Sequence, residues 1–216
     1  MNLFEKIKDG REYRRMVQPL EGIQEADAES YNVRGYATTF NEPYTLFETE
    51  DYRVDEQVDP NAFDECDMSD VIMQYDHEGR VFARTSNDTL QLTPDGHGLE
   101  VNAYLGGTEG GRALYGEIRG GYTNKMSFGF RVGADDIEER TIDGKTIYVR
   151  TITKISRLYD VSAVSLPAND GTAISARSLR DGAIARLEAE RLVKAENEKA
   201  VRALIDRINR SLGKES

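Results

Sequence analysis

Lys125-Met126-Ser127-Phe128-Gly129-Phe130 alternates large apolar residues with small ones. A period of two is the period of a strand. As a strand, the stretch turns Met126, Phe128 and Phe130 to one side and Ser127 and Gly129 to the other. Ser127 therefore has a direction but not yet a role. A serine on a strand is commonplace, and it becomes a nucleophile only where a base removes its proton. The chain holds two histidines, His77 and His97, so few residues could do that.

His77 closes another apolar run, Val71-Ile72-Met73-Gln74-Tyr75-Asp76-His77, which reads as a strand. Strand alternation puts its ring on the face of Tyr75, Met73 and Val71, at the edge of a core. His97 lies in Asp95-Gly96-His97-Gly98, a turn, where an exposed ring is expected. Asp160 opens the strand-like run Asp160-Val161-Ser162-Ala163-Val164-Ser165-Leu166. Each has a bland reading alone: an edge histidine with a partner, an ordinary strand serine, a solvated acid. Together they match what acyl transfer by serine needs, a hydroxyl, an imidazole and a group that orients the ring. Chain order does not matter there, because such a constellation is recognised by geometry. Composition alone leaves this reading open.

Further strands lie on either side. Tyr31 to Phe40 is rich in aromatic and β-branched residues and stops at Asn41-Glu42-Pro43. Thr89 to Leu92 and Leu99 to Leu105 flank Pro94-Asp95-Gly96 as a hairpin, and Ile142 to Val149 turns at Asp143-Gly144. Two segments break the β pattern. Asn61 to Met68 reads as a short helix, and Glu109 to Gly120 carries Ala113, Leu114 and Ile118 at helical spacing. Many short strands with frequent turns predict a β-rich α+β fold with a small barrel or sandwich.

The ends differ from this middle. Residues 1–30 are charged and weakly patterned and read as a mobile leader. Residues 178–216 place Ile184, Leu187, Leu192, Val201, Leu204, Ile205, Ile208 and Leu212 at spacings of three and four among Glu, Lys, Arg and Ala. That is an amphipathic helix or two.

Bulk properties narrow the function classes. The 216 residues carry a formal net charge of −11, which argues against a dedicated nucleic-acid surface. Cys66 is alone, so no intrachain disulfide forms and no CxxC zinc site exists. The N-terminus has acidic residues and no long apolar stretch, which is not the pattern of a secretory signal. No segment approaches the roughly 20 apolar residues of a membrane span.

In order along the chain, several fragments resemble the caudoviral prohead proteases. They are Arg34-Gly35-Tyr36-Ala37 with Phe40-Asn41, Tyr75-Asp76-His77-Glu78-Gly79-Arg80, and Thr89-Leu90-Gln91-Leu92 with Asp95-Gly96 and Gly98-Leu99. Met126-Ser127-Phe128-Gly129-Phe130 and Leu158-Tyr159-Asp160-Val161-Ser162-Ala163-Val164-Ser165-Leu166-Pro167-Ala168-Asn169 follow. The resemblance spans residues 31–177, taken as the protease domain. It implies a relation to the herpesvirus assembly proteases, and with it a compact β-barrel core flanked by helices. It implies His77 as general base and Ser127 as nucleophile. The herpesvirus enzymes use a second histidine after the serine. This chain has none there, so Asp160 is the expected third member and Glu78 a weaker candidate.

The resemblance also implies action on scaffold and major capsid protein inside the procapsid, in the cytoplasm of the bacterial host, with no cofactor or metal. Self-cleavage in the leader or the tail is expected, oligomeric state is left open with a dimer as the family analogy, and the helical tail would address scaffold or capsid protein. Backbone N–H groups near Gly129 or in a later loop are candidate oxyanion donors. The competing reading is a catalytically silent assembly protein that uses the barrel as a docking module.

Overall fold

The computed structural model describes residues 10–19, 21–22 and 30–164, and a C-terminal helix at residues 185, 187, 189, 191–205 and 207. The alternating stretch begins the second-longest strand of the larger of two sheets. That sheet runs in the order β1 (Glu12–Pro19), β10 (Lys125–Ile142), β11 (Lys145–Val164), β5 (Tyr52–Val58), β4 (Tyr44–Glu48). β6 (Ile72–Tyr75) also pairs with β11, and β7 (Glu78–Arg84) pairs with β6. The smaller sheet has the order β2 (Glu21–Gly22), β3 (Asn32–Thr39), β9 (Gly98–Tyr104), β8 (Leu90–Pro94).

The fold is β-rich, as expected, but the sheets do not close into a barrel. Neither pairing path returns to its first strand among the described residues. The reason lies in β11. Its first part pairs in parallel with β5 through Thr146–Ile152, and its last part pairs in parallel with β6 through Asp160–Ala163. One long strand serves two partners in succession, so the sheet forks there instead of curling shut.

One cluster of buried side chains draws on both sheets. Met126, Phe128, Phe130, Ile155, Leu158 and Val161 come from β10 and β11, and Val33, Ala37, Leu99 and Val101 from β3 and β9. Helix α1 (Glu109–Arg119) adds Leu114 and Ile118, as the sequence spacing predicts, with Tyr115 in the core and Ala113 exposed. Thr108 starts this helix, its hydroxyl accepting from Gly111 N at 3.0 Å. The turn at Asp143-Gly144 has φ of +52° and +79°, the paired positive angles of a tight hairpin. Asn61 to Met68 is not a helix. Its bonds span three residues, Ala62 N to Asp59 O, Asp64 N to Asn61 O and Cys66 N to Phe63 O, and form turns that tuck Ala62 and Phe63 into the core.

The N-terminal region also differs from the leader reading where it is described. Residues 12–19 form β1, antiparallel to β10, with Arg15 opposite Ser127. Its charge does not keep it in water, because Arg14 is buried among carboxylates. Residues 1–9 and 23–29 lie outside the described residues. At the other end, residues 191–205 are helical, with Leu192, Val193, Val201, Leu204 and Ile205 exposed. No helix among the described residues is long and apolar enough to cross a membrane.

Candidate active site

Ser127 sits one residue from either core-facing neighbour, so packing of the apolar face fixes its direction. Phe128 and Phe130 stack with ring centroids 4.5 Å apart on that face, and both are fully buried. On β11 the residue opposite Ser127 is Ser162, and the one opposite Gly129 is Asp160.

A β-bulge then aims the carboxylate. Gly129 pairs with Asp160, yet the next residue, Phe130, pairs with Leu158, so Tyr159 is the extra residue. In a regular strand Leu158 and Asp160 would share a face. The bulge lets Leu158 join Phe130 in the core while Asp160 joins the Ser127 face. Gly129 makes room for it: a Cβ there would lie 2.3 Å from Asp160 Oδ2 and 2.6 Å from the Tyr13 ring. The backbone of Gly129 is enclosed by strand pairing on both edges, with β1 and with β11.

His77 arrives by a turn, which corrects its placement on a strand face. β6 ends at Tyr75, and Tyr75 pairs with Glu78, leaving Asp76 and His77 as a two-residue hairpin turn. Their φ angles are +46° and +60°, the left-handed region that side chains other than glycine rarely occupy. Asp76 N donates to Ala163 O at 3.0 Å, which ties the turn to the end of β11. The strained turn folds the imidazole back over β11. Such strain recurs where a side chain must be aimed.

The three residues singled out in the sequence come together there. His77 Nε2 lies 2.6 Å from Ser127 Oγ, and His77 Nδ1 is hydrogen-bonded to Asp160 Oδ1. Asp160 also accepts from Ser162 Oγ at 3.0 Å. A carboxylate can only accept, so Nδ1 carries a proton and Nε2 is the nitrogen that faces the serine. The side chains of His77 and Asp160 are 9% and 5% exposed, and Ser127 is 3% exposed. The Tyr13 ring meets the imidazole edge-on at 4.5 Å.

Ser127 has a second neighbour. Its hydroxyl donates to the backbone oxygen of Arg14 at 2.8 Å. Below that oxygen, the Arg14 guanidinium is bound by Glu56 and Glu12. Tyr44 OH donates to Glu56 Oε1 at 2.6 Å, and Arg150 reaches Glu56 Oε2 at 2.8 Å and Asp135 Oδ2 at 2.5 Å. Burial pushes the Glu12 carboxyl up, but the hydrogen bond from Arg150 and the charges of Arg14 and Arg150 outweigh it and hold the pKa below its ordinary 4.5. Burial, with the Glu56 charge beside it, holds the Tyr44 phenol well above its usual range.

The other candidates stay apart. His97 is exposed in its turn, as expected, with Tyr36 edge-on at 4.6 Å. Glu78 is exposed at the start of β7. Burial pushes the Cys66 thiol up to about 11, which makes it a poor thiolate nucleophile. Among the described residues no three His, Cys, Asp or Glu side chains are grouped to hold a metal ion.

Four residues at the site were not assigned a role from the sequence: Tyr13, Arg14, Ser162 and Gly129 as a clearance. Ser162 was within reach of the alternation rule, since it lies two residues after Asp160. Tyr13 and Arg14 carried no local signal, because their role depends on strand pairing across more than a hundred residues.

A family model described as caudovirus prohead serine protease matches residues 20–184, more than half of the chain. No curated protein and no solved structure matches it.

Proposed function

The chain belongs to the caudovirus prohead serine protease family, and we propose that it is the endopeptidase of phage head maturation, with Ser127 as nucleophile, His77 as general base and Asp160 as orienting acid. The observation that carries this reading is one imidazole with a serine hydroxyl on one nitrogen and a carboxylate on the other. In the proposed reaction Ser127 Oγ bonds to the scissile carbonyl carbon while its proton passes to His77 Nε2. The Asp160 carboxylate stabilises the imidazolium through Nδ1–H. The tetrahedral intermediate expels the amine, which takes the proton from Nε2 and leaves an acyl ester on Ser127. Water then attacks the ester, giving its proton to His77. The carboxylic acid product departs as the proton returns to Ser127 Oγ.

The natural substrates in this reading are scaffold and major capsid protein, and the chain itself, inside the procapsid in the host cytoplasm. Residues 178–216 would deliver the protease to scaffold or capsid protein. Co-expression of Ser127→Ala with capsid and scaffold proteins tests the reading. Processing should stop, and processing at the parental rate would rule out Ser127 as the nucleophile.

A further inference from the structure

Ser127 lies on a strand that is paired on both edges, with β11 on one side and β1 on the other. At 3% exposure it cannot receive a polypeptide as it stands. What covers it is β1. The Arg14 oxygen holds the Ser127 hydroxyl, and the Tyr13 ring closes over His77 and over Gly129.

The pose is that of an occupant and not of a substrate being cut. Ser127 has one hydroxyl proton and two acceptors, Arg14 O and His77 Nε2. Donating to Arg14 O directs the serine oxygen at the carbonyl oxygen and withholds its proton from the base. The edge of β10 is nonetheless suited to an extended peptide, because strand addition supplies main-chain hydrogen bonds and the alternate side chains supply selectivity.

Charge says which side chain belongs beneath. Three carboxylates, Glu12, Glu56 and Asp135, surround two guanidiniums, Arg14 and Arg150. Glu12 and Arg14 belong to β1. β1 brings one charge of each sign, so the cluster's excess of one negative charge is the same with it or without it. What β1 supplies is the Arg14 guanidinium on both oxygens of Glu56. Glu56 is fully buried. Without β1, Glu56 keeps Arg150 and loses one of its two guanidinium partners, so an incoming strand that places a cation at the same spot is favoured. The Phe130 ring, 5.7 Å from the Arg14 guanidinium, adds a face for it.

We propose that the β10 edge beside Ser127 is the substrate-binding edge, that it selects an extended peptide with a basic residue over Glu56, and that β1 fills this edge as an internal stand-in until displaced. The residue over Glu56 is the one whose carbonyl meets Ser127. The inference rests on Ser127 being the nucleophile.

The test uses the full chain and a fluorophosphonate probe. The Ser127 oxygen bonds to phosphorus, fluoride leaves, and the proton passes to His77. Labelling at Ser127 is timed in the parent, in Tyr13→Ala and in Arg14→Ala, each checked for a cooperative melt. Tyr13→Ala leaves the ion cluster intact, so it stands if Arg14→Ala does not fold. Both variants should label about tenfold faster or more, because apparent reactivity scales with the open fraction. A synthetic peptide of residues 10–19 added to Tyr13→Ala should slow labelling again, and the same peptide with Arg14→Leu should not. Parental labelling as fast as that of the variants would overturn the stand-in role, and equal protection by the Leu peptide would overturn the basic selectivity. If no folded variant labels at Ser127, the nucleophile assignment itself fails, which is a different result from either.

Discussion

The two histidine turns of this molecule make a controlled comparison. His77 and His97 both sit in turns that join antiparallel strands, β6 to β7 and β8 to β9. Each meets a tyrosine ring edge-on, at 4.5 Å and 4.6 Å. Each has an aspartate nearby. Yet His97 is exposed, and Asp95 spends its Oδ1 on the backbone N–H groups of His97 and Gly98, at 2.7 Å and 2.8 Å. Asp160 instead comes from a different strand and binds the ring. A turn histidine beside an aromatic ring is therefore not a catalytic feature. The difference is made by three devices that each depend on residues remote from His77 in sequence: the bulge at Tyr159, the missing side chain at Gly129 and the tie from Asp76 N to Ala163 O at the end of β11.

The comparison breaks most sharply if the two rings are removed in turn. His77→Ala should lower proteolysis on the order of 10⁶-fold, as loss of the base does in a serine triad. His97→Ala should leave capsid-protein cleavage unchanged in the same assay. Asp160→Asn keeps the shape and loses the charge, and a fall in kcat on the order of 10⁴-fold is expected. Gly129→Ala tests the clearance. Its Cβ would meet Asp160 Oδ2 and the Tyr13 ring, so kcat should fall about 10²-fold, the scale of a misplacement near 1 Å. A folded Gly129→Ala enzyme with full activity would show that the missing side chain at Gly129 is not what lets Asp160 reach His77.

The smallest expected effect concerns pH. Glu12 has a depressed folded-state pKa, so it stabilises the fold above its ordinary 4.5 and loses that contribution as pH falls through its folded value. Glu12→Gln should therefore melt below the parent at neutral pH, and the gap should close under acid. A gap independent of pH would mean that packing and not charge holds Glu12.

Much of this site could be read along single strands. The alternation around Ser127 placed its hydroxyl off the core face, the helix before it was visible in Leu114 and Ile118, and Asp143-Gly144 marked its turn. What could not be read depends on pairing. The run from Val71 to His77 looks like one strand because nothing local says that Asp76 and His77 adopt positive φ. The bulge is a property of two strands in register, so Tyr159 carries no mark of it. β5 has no clear strand signal in the sequence, because Asp55 and Glu56 interrupt its apolar pattern. They are buried where Thr45, Tyr44 and two arginines meet them. β1 reads as part of a leader for a similar reason, since a buried arginine looks exposed until its carboxylates are known. The barrel expectation failed at β11, whose length lets it serve two parallel partners.

Histidine imidazole NMR tests the central claim most directly, because a chain labelled with ¹⁵N-histidine gives only two spin systems. The account predicts that His77 shows a strongly deshielded, exchange-protected Nδ1 proton, lost in Asp160→Asn and shifted in Ser127→Ala, while His97 exchanges freely in all three proteins. Two freely exchanging imidazoles in the parent, or an Nδ1 proton that survives Asp160→Asn unchanged, would contradict it.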